Sequence, residues 1–164
     1  MSERPKPGRV HVLLCGERLR GDDAAAPLAA GMLPADVLAL ATVIELTQLG
    51  IEALLDVPAE AAVVVADAAV GIPAGRIVVL PLEAVVRSAG RGASPASSHA
   101  LPPHQVLALA AELRGSPARG TFVGIGASEF GFGETPSEDV LAALPALAAA
   151  IAAEIRRLAA TPTG

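Results

Sequence analysis

Two adjacent carboxylates, Asp22 and Asp23, follow the apolar run Val10–Cys15 after a short polar loop that begins at Gly16. An apolar run of this kind reads as a buried strand, and the alanine-rich segment after the aspartates reads as a helix from Asp23 to Met32. The unit is strand, loop, helix, with acid at the helix start. Aspartate there caps the first turn and complements the helix dipole. In an open α/β sheet the same place lies in the crevice outside the strand ends, where a carboxylate pair could hold a cation. Both readings stand at this point.

Further chemistry-bearing residues are few. Asp67 closes the most buried-looking run, Ala61–Ala66, and the crevice rule brings it to the same sheet edge. It also suits a turn leading to Gly71. His99 precedes a helix that starts at Pro102 and Pro103. A helix N-terminus disfavours imidazolium, and neutral imidazole is the form that binds metal. A solvated loop histidine is the plain alternative, His104 competes for the role, and His11 sits within strand one as a structural or edge residue. Cys15 ends that strand, either as a nucleophile or as a buried inert thiol. Two carboxylates and one imidazole make a nitrogen and oxygen donor set that suits nickel or zinc without selecting between them. CxxC, HExxH, P-loop and GxSxG patterns are missing, and Glu17 after Gly16 breaks a dinucleotide fingerprint.

The elements that position these groups follow from punctuation and pattern. Strands are expected at Val10–Cys15, Val43–Leu46, Ala61–Ala66, Arg76–Leu80 and Thr121–Ile125. Helices are expected over Asp23–Met32, Ile51–Asp56, Pro102–Arg114 and from the Thr135-Pro136-Ser137-Glu138 capping-box spacing to about Ala160, with a kink at Pro145. Val140, Leu144, Leu147, Ile151, Ile155 and Leu158 form a stripe at helical spacing. Ser88–Ser98, rich in Gly, Ser, Ala and Pro, reads as a mobile loop by composition, and its length suggests function. The alternation predicts an α/β fold, a three-layer sandwich with a twisted, mainly parallel five-stranded sheet and helices on both faces. Residues 1–9 read as a flexible tail and 10–160 as one domain.

The chain has 164 residues, a formal net charge of −5 and one cysteine. That length buries a sufficient core without a disulfide. No basic face is visible, so nucleic acid is an unexpected partner. No apolar run spans a membrane and no signal peptide is recognisable, so a cytoplasmic location is expected.

Taken together, Gly16 to Ala26, Val64-Val65-Ala66-Asp67-Ala68, Ser97-Ser98-His99-Ala100-Leu101-Pro102, Phe122–Gly126 and Gly133-Glu134-Thr135-Pro136 resemble, in order, the blocks of the hydrogenase maturation proteases. The resemblance spans roughly residues 10 to 158. It implies a twisted five-stranded sheet between helices. It also implies an endopeptidase that removes the C-terminal extension of a nickel–iron hydrogenase large-subunit precursor after nickel insertion. The substrate's own nickel would be the recognition element, held by Asp23, Asp67 and His99, and those three residues would be the catalytic and metal-binding set. The chain departs from the family pattern at Glu17, where the family has Asn, and at Ala24 and Ala26, where it has glycines. It also departs at Glu45-Leu46-Thr47, where the family has Asp-Gly-Gly. The alternative is a non-catalytic hydrogenase assembly or binding protein on the same scaffold.

Overall fold

The structure, a computed structural model, describes residues 9–88 and 101–161. Five strands form one sheet: β1 (Val10–Cys15), β2 (Ala41–Leu46), β3 (Val63–Ala69), β4 (Ile77–Pro81) and β5 (Gly120–Gly126). Their order is β2-β1-β3-β5-β4, all parallel except β4, which runs antiparallel to β5. Helices α1 (Ala25–Ala30), α2 (Ala35–Leu38) and α6 (Glu138–Ala160) pack on one face. Helices α3 (Ile51–Leu55), α4 (Leu82–Ser88) and α5 (Pro103–Arg114) pack on the other. The expected three-layer α/β sandwich is therefore present.

The period of two in the strands divides the core. Val10, Val12 and Leu14 of β1 face α1 and α6, whereas Leu13 and Cys15 face α3 and α5. A strand buried on both faces must be apolar throughout, and β1 is buried at all six positions. The stripe expected on the last helix is the buried face of α6, and that helix continues through the exposed Pro145. On the other face, the Arg114 guanidinium donates to the carbonyls of Leu54 and Val57 at 2.7 and 2.9 Å. It satisfies the open C-terminal end of α3 and ties α5 to it.

Several local expectations are corrected. The helix foreseen at Asp23–Met32 is a 3-10 turn, Gly21–Ala24, followed by the shorter α1. Strand β3 starts two residues late and continues to Ala69, because β5 pairs with it that far, so Asp67 is not its last residue. Helices α2 and α4 were not expected; neither is announced by a Gly or a polar cap. The capping box is not formed. Ser137 is the N-cap of α6, but its hydroxyl makes no cap bond and turns instead to Asp22. The loop expected at Ser88–Ser98 lies outside the described residues except for Ser88, and His99 and residues 1–8 of the tail lie outside them too.

Asp22 is fully buried and accepts four hydrogen bonds: from the amides of Ser128, Glu129 and Ser137 at 2.9, 3.1 and 2.7 Å, and from the Ser137 hydroxyl at 3.1 Å. Burial works against its charge, but these donors outweigh it and hold the carboxyl below its ordinary value. Replacing Asp22 with Ala is expected to destabilise the fold by about 1–3 kcal/mol, since it leaves three part-buried amides without their acceptor. Urea denaturation at neutral pH measures this loss. The wild-type advantage should shrink as pH falls below the ordinary carboxylate range, because the bound proton then removes the acceptor.

Candidate functional site

The chain leaves β1 toward β2 on one side, then returns to place β3 on the other side of β1. Strand order therefore reverses between β1 and β3, and the crevice outside their carboxyl ends is where open α/β sheets bind ligands. Pairing between these strands stops at Leu14 with Ala66. Asp67 is thus the first β3 residue past the end of the β1 ladder, beside the point where β1 turns away.

That turn is made by Gly16. Its φ is +139°, and a Cβ there would collide with the Asp23 carbonyl. Only glycine allows this close approach. The loop then folds back so that the Glu17 amide donates to Asp23 Oδ2 at 2.8 Å. The Gly21 and Asp22 amides donate to the carbonyls of Glu134 and Glu129 at 3.1 and 2.7 Å, and Gly133 donates to Leu19. The β1 loop is zipped in this way to the loop before α6.

The structure separates the two adjacent aspartates. Asp22 points into the protein and is a structural acceptor. Asp23 is half-buried at the edge of the sheet, with one oxygen bonded to the Glu17 amide. The cation-binding reading of the pair therefore contracts to Asp23. Burial pushes its carboxyl up, against the opposing pull of the Glu17 amide and Arg20, with the Glu17 carboxylate adding to the rise. Asp67 is raised to about 7, first by burial and then by the charge of Asp23; only the Ala68 amide, 2.8 Å from its Oδ1, opposes this. Asp67 thus sits within the field of Asp23. By strand alternation Asp67 shares the face of Val63 and Val65, the face on which α5 packs. Two acids destabilised together are chemically suited to an incoming cation, whose charge would relieve both.

His99 lies outside the described residues. The helix it precedes, α5, packs on the Asp67 face, and a crossover into the parallel strand β5 starts that helix at the carboxyl edge. His104 is the second residue of α5 and is half-buried. Among the described residues no three His, Cys, Asp or Glu side chains form a group able to hold a metal ion. Cys15 is fully buried, and burial with Asp67 and Asp23 nearby pushes its thiol far up. It is the inert thiol, not a nucleophile. His11 is buried in β1, at the strand end opposite the loop, with Nδ1 unpartnered among the described residues, and burial lowers its basicity.

On the β2 side of Gly16 lies a cleft of about 380 Å³ lined by Gly16, Glu17, Arg18, Leu19, Glu45, Leu46 and Thr47. Arg18 grips Glu45 in a bidentate pair, Nε to Oε1 at 2.6 Å and Nη2 to Oε2 at 2.9 Å. Sequence reading missed this bridge; opposite charges just beyond and just before the ends of neighbouring parallel strands are the signal that could have found it. Ala26 packs in the core and Ala24 is buried, so neither methyl stands in the cleft.

No family model and no curated protein matches the sequence. Solved structures do. The NiFe hydrogenase maturation protease HybD from Thermococcus kodakarensis is 24% identical, with a TM-score of 0.66 over 92% of this chain and 99% of that one. HycI, a NiFe hydrogenase maturation protease from the same organism, is 24% identical with a TM-score of 0.61, covering 91% and 93%. The hydrogenase maturating endopeptidase HybD from E. coli is 21% identical with a TM-score of 0.67, again covering 91% and 93%. The chain has the fold of the hydrogenase maturation proteases over nearly its whole length.

Asp67 makes stability depend on pH. Its folded value of about 7 exceeds the ordinary 3.8, so between these limits the folded chain keeps a proton that the unfolded chain releases. Its contribution is fully favourable below 3.8 and is lost as pH rises through about 7. Asp67→Asn should therefore raise Tm by several degrees near pH 8, at about 2–4 °C per kcal/mol for a chain of this size. The gain should vanish near pH 4, and scanning calorimetry at the two pH values measures the difference.

Proposed function

We propose that the chain is an endopeptidase that removes the C-terminal extension of a nickel–iron hydrogenase large-subunit precursor after nickel insertion. The observation that carries this reading is the pair Asp23 and Asp67, both raised by burial and Asp67 further by the charge of Asp23, at the switch point of a fold shared with maturation proteases. The nickel arrives as part of the substrate. Asp23, Asp67 and His99 grip it, which positions the precursor and offsets the carboxylates' repulsion. A bound cation of this kind polarises a neighbouring carbonyl or activates a water for attack. Gly16 sets the height of Asp23, and the Asp22 bonds fix the loop, so the acid is presented without reorganisation.

A non-catalytic binding role on the same scaffold is favoured by one feature. Glu17 adds a third acid beside Asp23, and its charge raises that carboxyl. Such a site favours holding a cation over releasing it.

Intact mass separates the two readings. Nickel-loaded precursor from the same genome should lose a tail-sized mass with wild-type protein and stay intact with Asp23→Asn. Nickel-free precursor should stay intact throughout. Nickel-dependent co-purification without mass loss would instead identify the binding protein.

A further inference from the structure

The sheet has two open edges, and they are treated differently. β4 ends in Pro81, a residue that cannot donate to an added strand and guards an edge. β2, Ala41-Thr42-Val43-Ile44-Glu45-Leu46, has no proline and no lysine. Three of its six residues are β-branched, and its lone charge is neutralised by Arg18. Among the described residues no strand pairs with its outer side. Val10 and Gly16 donate to the carbonyls of Leu40 and Leu46, so the even-numbered residues face β1. In a parallel ladder the alternate residues then point outward, which leaves the amides and carbonyls of Ala41, Val43 and Glu45 along the free edge. Exposed Leu40 and Val43 give that edge apolar side chains, and exposed Leu19 stands at its far end in the cleft.

We propose that the outer edge of β2 is the docking rail for an extended segment of the protein substrate, which adds to the sheet as a sixth strand and is led into the cleft beside Gly16. This rests on the protease reading above. The occupant is a polypeptide in β conformation because the donors and acceptors on offer are a strand's, repeating at strand spacing. It is the substrate because the rail ends in residues that line the cleft: Glu45, Leu46 and Thr47. A second copy of the chain is the lesser fit, since a six-residue edge pairs over only about 20 Å and self-pairing gives no role to the cleft at its end. The geometry also sets a measuring distance. A strand added outside β2 lies three strand spacings, about 15 Å, from Asp67. The bond presented to Asp67 is then about five extended residues beyond the last one paired with β2.

Two substitutions test the rail. Val43→Pro removes the central outward amide, and Val43→Lys places a charge guard on the edge; thermal melting checks that each is folded. With nickel-loaded precursor, KM should rise about tenfold in each variant while kcat stays within about twofold. Unchanged kcat/KM in both folded variants, with wild-type cleaving, overturns the rail and leaves the protease reading intact. Absence of cleavage by wild type overturns the protease reading instead. Amide exchange of the wild-type chain then decides the rail. Protection of the Val43 and Glu45 amides by added precursor supports it. No protection overturns it, as does protection that grows with the chain's own concentration alone.

Discussion

One buried carboxylate holds the carboxyl edge of this sheet together. Asp22 gathers two backbone amides of the loop after β5, the first amide before α6 and the Ser137 hydroxyl around two oxygens. A buried charge is tolerated only where donors surround it. The four donors come from residues more than a hundred positions away, so the bond set exists only once β5 and α6 have docked. The loop carrying Asp23 is therefore rigid by virtue of the complete fold. Its own residues add to this through the Gly16 turn and the backbone bonds of Glu17, Leu19 and Gly21.

That long reach explains what sequence reading could and could not recover. The runs Val10–Cys15 and Val63–Ala66 announce central strands because both their faces are apolar, and the α6 stripe announces its buried side at helical spacing. These signals are local. The roles of Asp22 and Asp23 are not, because two adjacent acids at a helix start look alike until the partner loop is placed. The capping-box spacing points to Thr135 as the cap, but α6 starts two residues later at Ser137, whose hydroxyl is bonded to Asp22. Asp67 was legible as a strand-edge acid, but its true position was set by unequal pairing, with β5 running further along β3 than β1 does. Helices α2 and α4 are short and follow Pro34 and Pro81 without glycine punctuation, so nothing local marks them.

The site itself works by holding charge in an unfavourable place. Asp67 and Asp23 are raised by burial, and Asp67 further by its neighbour's charge. The chain accepts that local cost because the rest of the sheet is well packed on both faces. On the proposed function, a ligand of positive charge would find a site already desolvated, and its binding would release free energy that folding had stored.

Strand β1 carries a further consequence. Its two faces are almost equally apolar, so hydrophobic pattern alone does little to resist a slip of one residue along its neighbours. What fixes the register is the strand's end: Gly16 cannot be replaced there by a residue with a Cβ, and its amide is bonded to Leu46. The same glycine sets the position of Asp23. Alignment of the central strand and placement of Asp23 are thus one specification, written in a single residue, and drift in the first would be felt at once as displacement of the second.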